Sequence, residues 1–495
     1  MNKAIIYLVY FTLYTVILLW FGKGGFKKTN DLRDFFVAGN SLGLIPSIFT
    51  FTATWFSAAS MQGLSGSIYA YGYAIILYAV VPWFIGAAFL VSIAPRLKAY
   101  DILTVPEYFR IRYDSRMLQA MGGCIIILSY TLYTIIQIRG FGVVMSELLD
   151  INYTLAIILV YLFIVYTTFG GLFSVTKTDG LNFVLIVLGT ILAAVMILKN
   201  TGGIGNIHEQ AAFISTRPFP DAPFITEKGA LLDPFSKGVY PPLMIITGFC
   251  GWGLGLAANP QYAIRIISAK NKKTAVKMIC YSVFILAILY VGIFVIGMGS
   301  RVLQPSIDSI HSVDEVFPFI INKVIYSRLS GLILIGITAA AVSTANSQLL
   351  ILASGFTYDI FKNLKGADMD DDRFINLNRI FILVAGTIAL VLSINPPKSL
   401  LVYGGQIWGV FSVTFLLPLY GGLFWQKATK EGAVASFLGG LTTMIAVTLK
   451  YRFGDVNANN MIHPALPGVI VAILLFYTIS SYTYGRKGDS IETRH

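Results

Sequence analysis

The residues best suited to chemistry in this chain are hydroxyls. Residues 338–347 read TAAAVSTANS, with Ser343 and Thr344 side by side behind Ala339, Ala340 and Ala341. A hard cation takes oxygen ligands, and hydroxyls with backbone carbonyls supply them without a buried carboxylate. Carbonyls come free where a helix is broken, and two stretches have the composition to break one. Residues 50–67 read TFTATWFSAASMQGLSGS, and residues 248–260 read GFCGWGLGLAANP, with four glycines, Asn259 and Pro260. Glycine costs about 1 kcal/mol in a helix interior, and proline removes a backbone donor. Two plainer readings compete. A lone Ser or Thr in a helix bonds its own i−4 carbonyl, and small residues let helices pack closely.

These residues sit in an apolar chain. Thirteen windows lack Lys, Arg, Asp and Glu: 4–22, 43–70, 73–95, 118–138, 152–170, 180–198, 240–261, 279–299, 329–356, 380–395, 399–424, 432–449 and 465–484. Each approaches the roughly 20 residues that cross a bilayer as a helix. The first has only Lys3 before it and no small-residue cleavage site after it, so it reads as a retained helix. Across 495 residues the chain is 56% hydrophobic and 12% charged, with mean hydropathy +0.74. A soluble surface carries about twice that charge, so the expectation is an all-α polytopic membrane protein. Acids, lysines and histidines are absent from the windows, and the three cysteines lie far apart. That leaves a membrane-embedded enzyme without a nucleophile–base pair or a metal cluster.

The net charge of +12 follows the topology. Alternate loops hold 24 of the 36 basic residues, which by the positive-inside rule places the N-terminus outside and the C-terminus in the cytoplasm of a plasma-membrane protein. No nucleic acid is needed to explain the charge. The two interrupted stretches open segments of similar length with five windows each, the pattern of an inverted-repeat transporter. The expected organisation is 1–42 as a peripheral helix and inside loop, 43–199 as the first repeat and 200–239 as an outside loop. Residues 240–424 form the second repeat, and 425–495 two peripheral helices and a short inside tail. The 199–239 loop is rich in Pro and Phe (Pro218, Phe219, Pro220, Pro223, Phe224), and a loop of this length is either a lid or unstructured.

Several segments, in order, resemble the sodium:solute symporter family: DFFVAGNSLG, SAASMQGLSGSIYAYG, GGLFSVTKTDGLN, GWGLGLAANPQYAIRIISAK, AAAVSTANSQLL and GGLFWQKATKEGA. The resemblance covers nearly the whole chain and includes bacterial proline, pantothenate and sodium–sugar transporters. It implies a LeuT-type 5+5 fold and a co-transported Na+ held by backbone oxygens of Ala53, Phe56 and Ala340 and by the hydroxyls of Ser343 and Thr344. It matches Asp179 to a family acid linked to sodium passage, for which a helix cap is the alternative. It places Trp55, Ser57, Ser60, Tyr78, Trp252, Leu256 and Gln406 around the substrate. The chain departs from sugar carriers, which have Gln and Glu at Ser60 and Ala79. It also departs from proline carriers, which have Asp, Arg and Tyr at Trp55, Asn40 and Leu256. The expected activity is sodium-coupled import of a small organic carboxylate or amino-acid-like solute by alternating access. Proton coupling is the rival; it asks for a titratable core group, and Asp179 at the edge of its window is the one candidate.

Overall fold

The computed structural model describes residues 3–492 except 27–28, 30, 221–226, 366–369, 398 and 454–460. Pro223 and Phe224 of the long loop therefore lie outside the described residues. The described residues form an all-helical polytopic membrane fold. Eleven helices are long and apolar enough to cross a membrane, and two shorter apolar ones, Leu44–Trp55 and Tyr153–Thr168, accompany them. In chain order the elements used below are α1 (Lys3–Phe26), α2 (Leu44–Trp55), α3 (Leu64–Tyr71) and α4 (Tyr73–Leu97). They continue with α5 (Arg116–Leu149), α6 (Tyr153–Thr168), α7 (Gly171–Thr201), α8 (Pro242–Ala258) and α9 (Pro260–Ser268). The remainder are α10 (Lys272–Leu303), α11 (Ser330–Ser354), α12 (Asp371–Leu392), α13 (Leu400–Thr414), α14 (Lys430–Phe453) and α15 (Ala465–Glu492).

The helices start where side chains can take orphan N–H groups. Ser115, Asn152, Asn271 and Asp370 each accept from the backbone N–H three residues on, at 2.8–3.2 Å, which satisfies one of the four free donors of a first turn. Burial then sorts them. α11 is buried along its length, whereas α1, α12, α14 and α15 leave apolar side chains such as Leu8, Trp20, Val391 and Leu474 exposed. A helix apolar all round and buried on one side only fits a lipid-facing position.

Contacts between loops define two ends. At one, which we call the basic end, Arg33 pairs with Asp101 at 2.5 Å, and Arg112 donates to the carbonyls of Gly422 and Trp425. Leu42 and Ala269 form a parallel bridge there: Leu42 N donates to Ser268 O at 3.2 Å and Lys270 N to Leu42 O at 2.9 Å. At the far end Lys3 donates to Asn322 O, and His463 N donates to Thr247 Oγ1. α1 thus begins at the far end. α15 begins there too and runs to the basic end, where Ser480 Oγ accepts from Thr429 N. The start of α1 and the later part of α15 thus lie at opposite ends of the bundle.

The Pro-rich loop packs onto the far end. Tyr69 at the end of α3 donates to Pro218 O and Gln304 O, and Tyr73 N donates to Leu231 O at 3.0 Å. Gly72 permits this: its φ is +63°, and a Cβ there would lie 1.9 Å from Leu231 O, a conformation and an approach open to glycine alone.

Candidate functional site

The first interruption falls where its composition indicates. α2 stops at Trp55, Phe56 leaves helical geometry at φ −81°, ψ 81°, and a π-turn at Ala59–Gly63 leads into α3. The second falls within its expected stretch, but at its end. All four glycines of 248–260 are helical within α8, and the chain opens only at Asn259 (φ −74°, ψ 121°). The glycines serve packing instead: a Cβ at Gly248 would meet the Tyr78 ring, at Gly253 the Pro82 carbonyl, and at Gly255 the Trp408 backbone. The break belongs to Asn259 and Pro260. Asn259 caps α9 through Gln261 N at 2.9 Å, and Tyr130 OH donates to Asn259 Oδ1 at 2.5 Å.

The end of α2 rests on α11. Thr344 Oγ1 donates to the Thr54 carbonyl at 3.1 Å, and Gln261 Nε2 from α9 donates to the same oxygen at 3.0 Å. Ala53, Phe56, Ala340, Ser343 and Thr344 are all fully buried. The hydroxyl of Thr344 therefore faces the broken end between Ala53 and Phe56 and does not back-bond its own helix.

Ser343 points elsewhere, to an acid. Its Oγ donates to Asp179 Oδ1 at 2.6 Å, and Thr50 Oγ1 donates to Asp179 Oδ2 at 2.5 Å. Here two expectations are corrected. Asp179 is not a cap, because α7 already begins at Gly171. Nor is the bundle free of charge: Asp179 is completely buried and pairs at 3.7 Å with Arg265 Nη2 of α9, itself buried. Arg265 lies beyond the end of the 240–261 window, where a loop is expected, but α9 runs through it. Its guanidinium also donates to Thr54 Oγ1 at 3.0 Å and to Ser347 Oγ. Charge in a low-dielectric interior persists only when paired and hydrogen-bonded, and this pair shares four hydroxyls, those of Thr50, Thr54, Ser343 and Ser347.

The residues expected around the substrate divide. Trp55, Ser57, Ser60, Tyr78, Trp252 and Leu256 are buried together near the break. Trp55 Nε1 donates to Tyr290 OH at 3.0 Å, and Ser60 Oγ lies 3.2 Å from that same oxygen. Gln406 is exposed and faces a side pocket of about 220 Å³ lined by Leu132, Tyr403, Leu441 and Met444; its helix turns Trp408 inward instead. Trp83, Tyr262, Tyr290 and Trp408 are central residues that motif matching passed over, since nothing in an apolar run marks which aromatics meet.

Comparison with known proteins fits this geometry. The model of the sodium:solute symporter family matches residues 35–440. The chain belongs to the sodium:solute symporter family. Sodium/proline symporters of Staphylococcus aureus strains are 26% identical to it over 502 aligned residues, covering 97% of this chain and 93% of theirs. Among solved structures, a Na+-coupled sialic acid symporter in a substrate-bound outward-open state superposes with a TM-score of 0.75 at 19% identity, covering 97% of this chain and 98% of that one. Mhp1, a nucleobase-cation-symport-1 family transporter in a closed conformation, superposes with a TM-score of 0.58 at 13% identity, covering 92% and 95%. The fold is thus the LeuT type, and the family member is a sodium-coupled solute symporter rather than an enzyme.

Proposed function

We propose that sodium binds at the broken end of α2 against α11, on the carbonyl oxygens of Ala53, Phe56 and Ala340 and the hydroxyls of Ser343 and Thr344. The observation that carries this reading is the Thr344 hydroxyl meeting the freed Thr54 carbonyl, flanked by Ala53 and Phe56. A cation arriving there replaces a hydrogen bond with ligation and ties α2 to α11. Asp179, one hydrogen bond beyond Ser343, then offers the departing ion an anionic oxygen on its way to the basic end, which we place in the cytoplasm with the N-terminus outside. The solute is a small organic carboxylate or amino-acid-like compound seated among Trp55, Ser57, Ser60, Tyr78, Trp252 and Leu256. Alternating access carries both inward in a plasma membrane, each sodium ion drawing about 2.3 kcal/mol per 100 mV from the potential.

Sodium binding has a readout that needs no known substrate. Sodium chloride raises the melting temperature of the purified protein above that in equimolar potassium chloride, by mass action on the folded state. Thr344→Ala shifts the midpoint of that rise at least about tenfold, the cost of roughly one ligand-strength interaction. Equal melting in the two salts, or a wild-type midpoint in the variant, overturns the site. The buried Asp179 favours a second reading, proton coupling. Uptake into vesicles that follows an imposed pH gradient and ignores sodium would establish it instead.

A further inference from the structure

At the bundle centre three indoles meet, Trp83 of α4, Trp252 of α8 and Trp408 of α13. Ring centroids are 5.2 Å apart for Trp83 and Trp252, 5.4 Å for Trp252 and Trp408, and 6.1 Å for Trp83 and Trp408. Both Trp252 contacts are edge-to-face, at 87° and 71°. Tyr290 lies 5.3 Å from Trp83, and Tyr133 and Tyr262 lie 6.2 and 5.9 Å from Trp408. All six rings are at most 4% exposed. They come from both repeats and adjoin the first break, where Trp55 and Ser60 hold Tyr290.

Two further facts define what such a cluster can hold. The helices carrying the three indoles, α4, α8 and α13, contain no Asp or Glu. Buried donors nearby lack acceptors: Trp83 Nε1, Gln137 Nε2 and Gln62 Nε2 have no hydrogen-bond partner. Gln137 stands one turn beyond Tyr133 on α5, on the same face, and accepts from Ala58 N at the break.

We infer that the solute is a methylated ammonium carboxylate, a betaine-type zwitterion. This rests on the symport reading above and names its substrate class. An aromatic face is electron-rich, and the edge-to-face pairs Trp83–Trp252, Trp252–Trp408 and Tyr262–Trp408 each set one ring's positive C–H edge against the face of the other. An N-methyl group offers the same polarity with a full charge behind it. Rings attract such cations without needing their N–H donors satisfied, which is why aromatic cages select quaternary ammonium groups. A primary ammonium would leave its N–H groups short of acceptors among indoles. A purely anionic head would face negative π clouds. With no acid on these helices, the balancing charge comes from the solute's own carboxylate, which the unpartnered donors of Trp83, Gln62 and Gln137 can receive.

The test is a thermal-shift titration of the full-length protein in sodium and in potassium, with four probes: glycine betaine, N,N-dimethylglycine, glycine and 3,3-dimethylbutanoate. The last is the uncharged-head carbon isostere of the first. The expected order is glycine betaine, dimethylglycine, glycine, with glycine betaine about 30-fold tighter than the isostere and binding only in sodium. Trp252→Leu abolishes the response and Trp252→Phe keeps part of it, while Trp20→Phe on the exposed face of α1 leaves it intact. Retained stabilisation by sodium shows that a Trp252 variant is folded. If that stabilisation is lost, the same comparison is read from Trp408→Phe. Equal binding of the two isosteres, a preference for glycine, or no response to any probe while sodium still stabilises overturns the substrate class and leaves sodium coupling standing. Failure of sodium itself to stabilise overturns the symport reading beneath it.

Discussion

Asp179 and Arg265 are not legible as buried charges from the charge-free runs, because each sits just beyond such a run on a helix that continues into the bundle. The hydroxyl pair was legible, since Ser343 and Thr344 adjoin in an alanine-rich helix; their divergent partners, Asp179 and the Thr54 carbonyl, were not, because partner choice depends on where α2 stops. Removing one member of a buried pair strands the other in low dielectric at about 3–5 kcal/mol. Asp179→Asn should therefore lower stability more than the double variant Asp179→Asn/Arg265→Met does, measured by urea or thermal unfolding in detergent. If the double variant is the less stable, the four hydroxyls rather than the opposite charge hold Arg265 in place.

Elements carry the next set of consequences. The segment Val313–Glu315 at the far end lies directly on α3: a Cβ on Gly66 would come within 1.7 Å of the Val313 carbonyl. Beside it Asp314 pairs with Arg139 of α5 at 3.4 Å and accepts from Leu400 N, the first residue of α13, at 3.2 Å. Gly66→Ala must push this segment off α3, so a cysteine at Val313 should label faster with a membrane-impermeant thiol reagent in that background; unchanged labelling would count against close packing there. The peripheral pair α14 and α15 is joined to α8 by His463, whose ring fills the space beside Gly251. Burial pushes the His463 imidazole down to about 4, whereas an unfolded histidine takes its proton near 6.5. The unfolded state thus binds more protons between those values, and the stability His463 provides above pH 6.5 is lost as pH falls toward 4. Asp314, raised by burial to about 6 despite Arg139, has the opposite sign. The melting temperature of wild type minus that of His463→Gln isolates the histidine: this difference should shrink across that window, and a difference independent of pH removes the assignment. The spans themselves were readable because crossing a bilayer asks for a long run without charge. The break expected in 248–260 falls at Asn259 and Pro260; the share of the four glycines was not legible, because glycine marks both helix opening and close packing, and only the neighbours Tyr78, Pro82 and Trp408 decide between them.

For the whole molecule, the charges buried at the first break, Asp179 and Arg265, offset each other, so the voltage sensitivity of transport should come from its cargo. A zwitterion moving with one sodium ion carries net charge, so in proteoliposomes its accumulation should rise roughly tenfold per 60 mV of negative interior potential. A simple carboxylate moving with one sodium is electroneutral and should not respond. With α1 starting and α15 finishing at opposite ends, tags at residue 1 and residue 495 should be digested from opposite sides of sealed vesicles; digestion of both from one side overturns that arrangement. The alternation of basic loops leads to the same expectation by another route, since charge segregates by the cost of crossing lipid rather than by any residue's partner. The bridge between Leu42 and Ala269 is of another kind. Both of its hydrogen bonds, Leu42 N to Ser268 O and Lys270 N to Leu42 O, join main-chain atoms, which every residue but proline possesses. This join at the basic end is therefore indifferent to spelling. Substitution can wander freely around it, and only the path of the chain, or a proline at Leu42 or Lys270, can undo it.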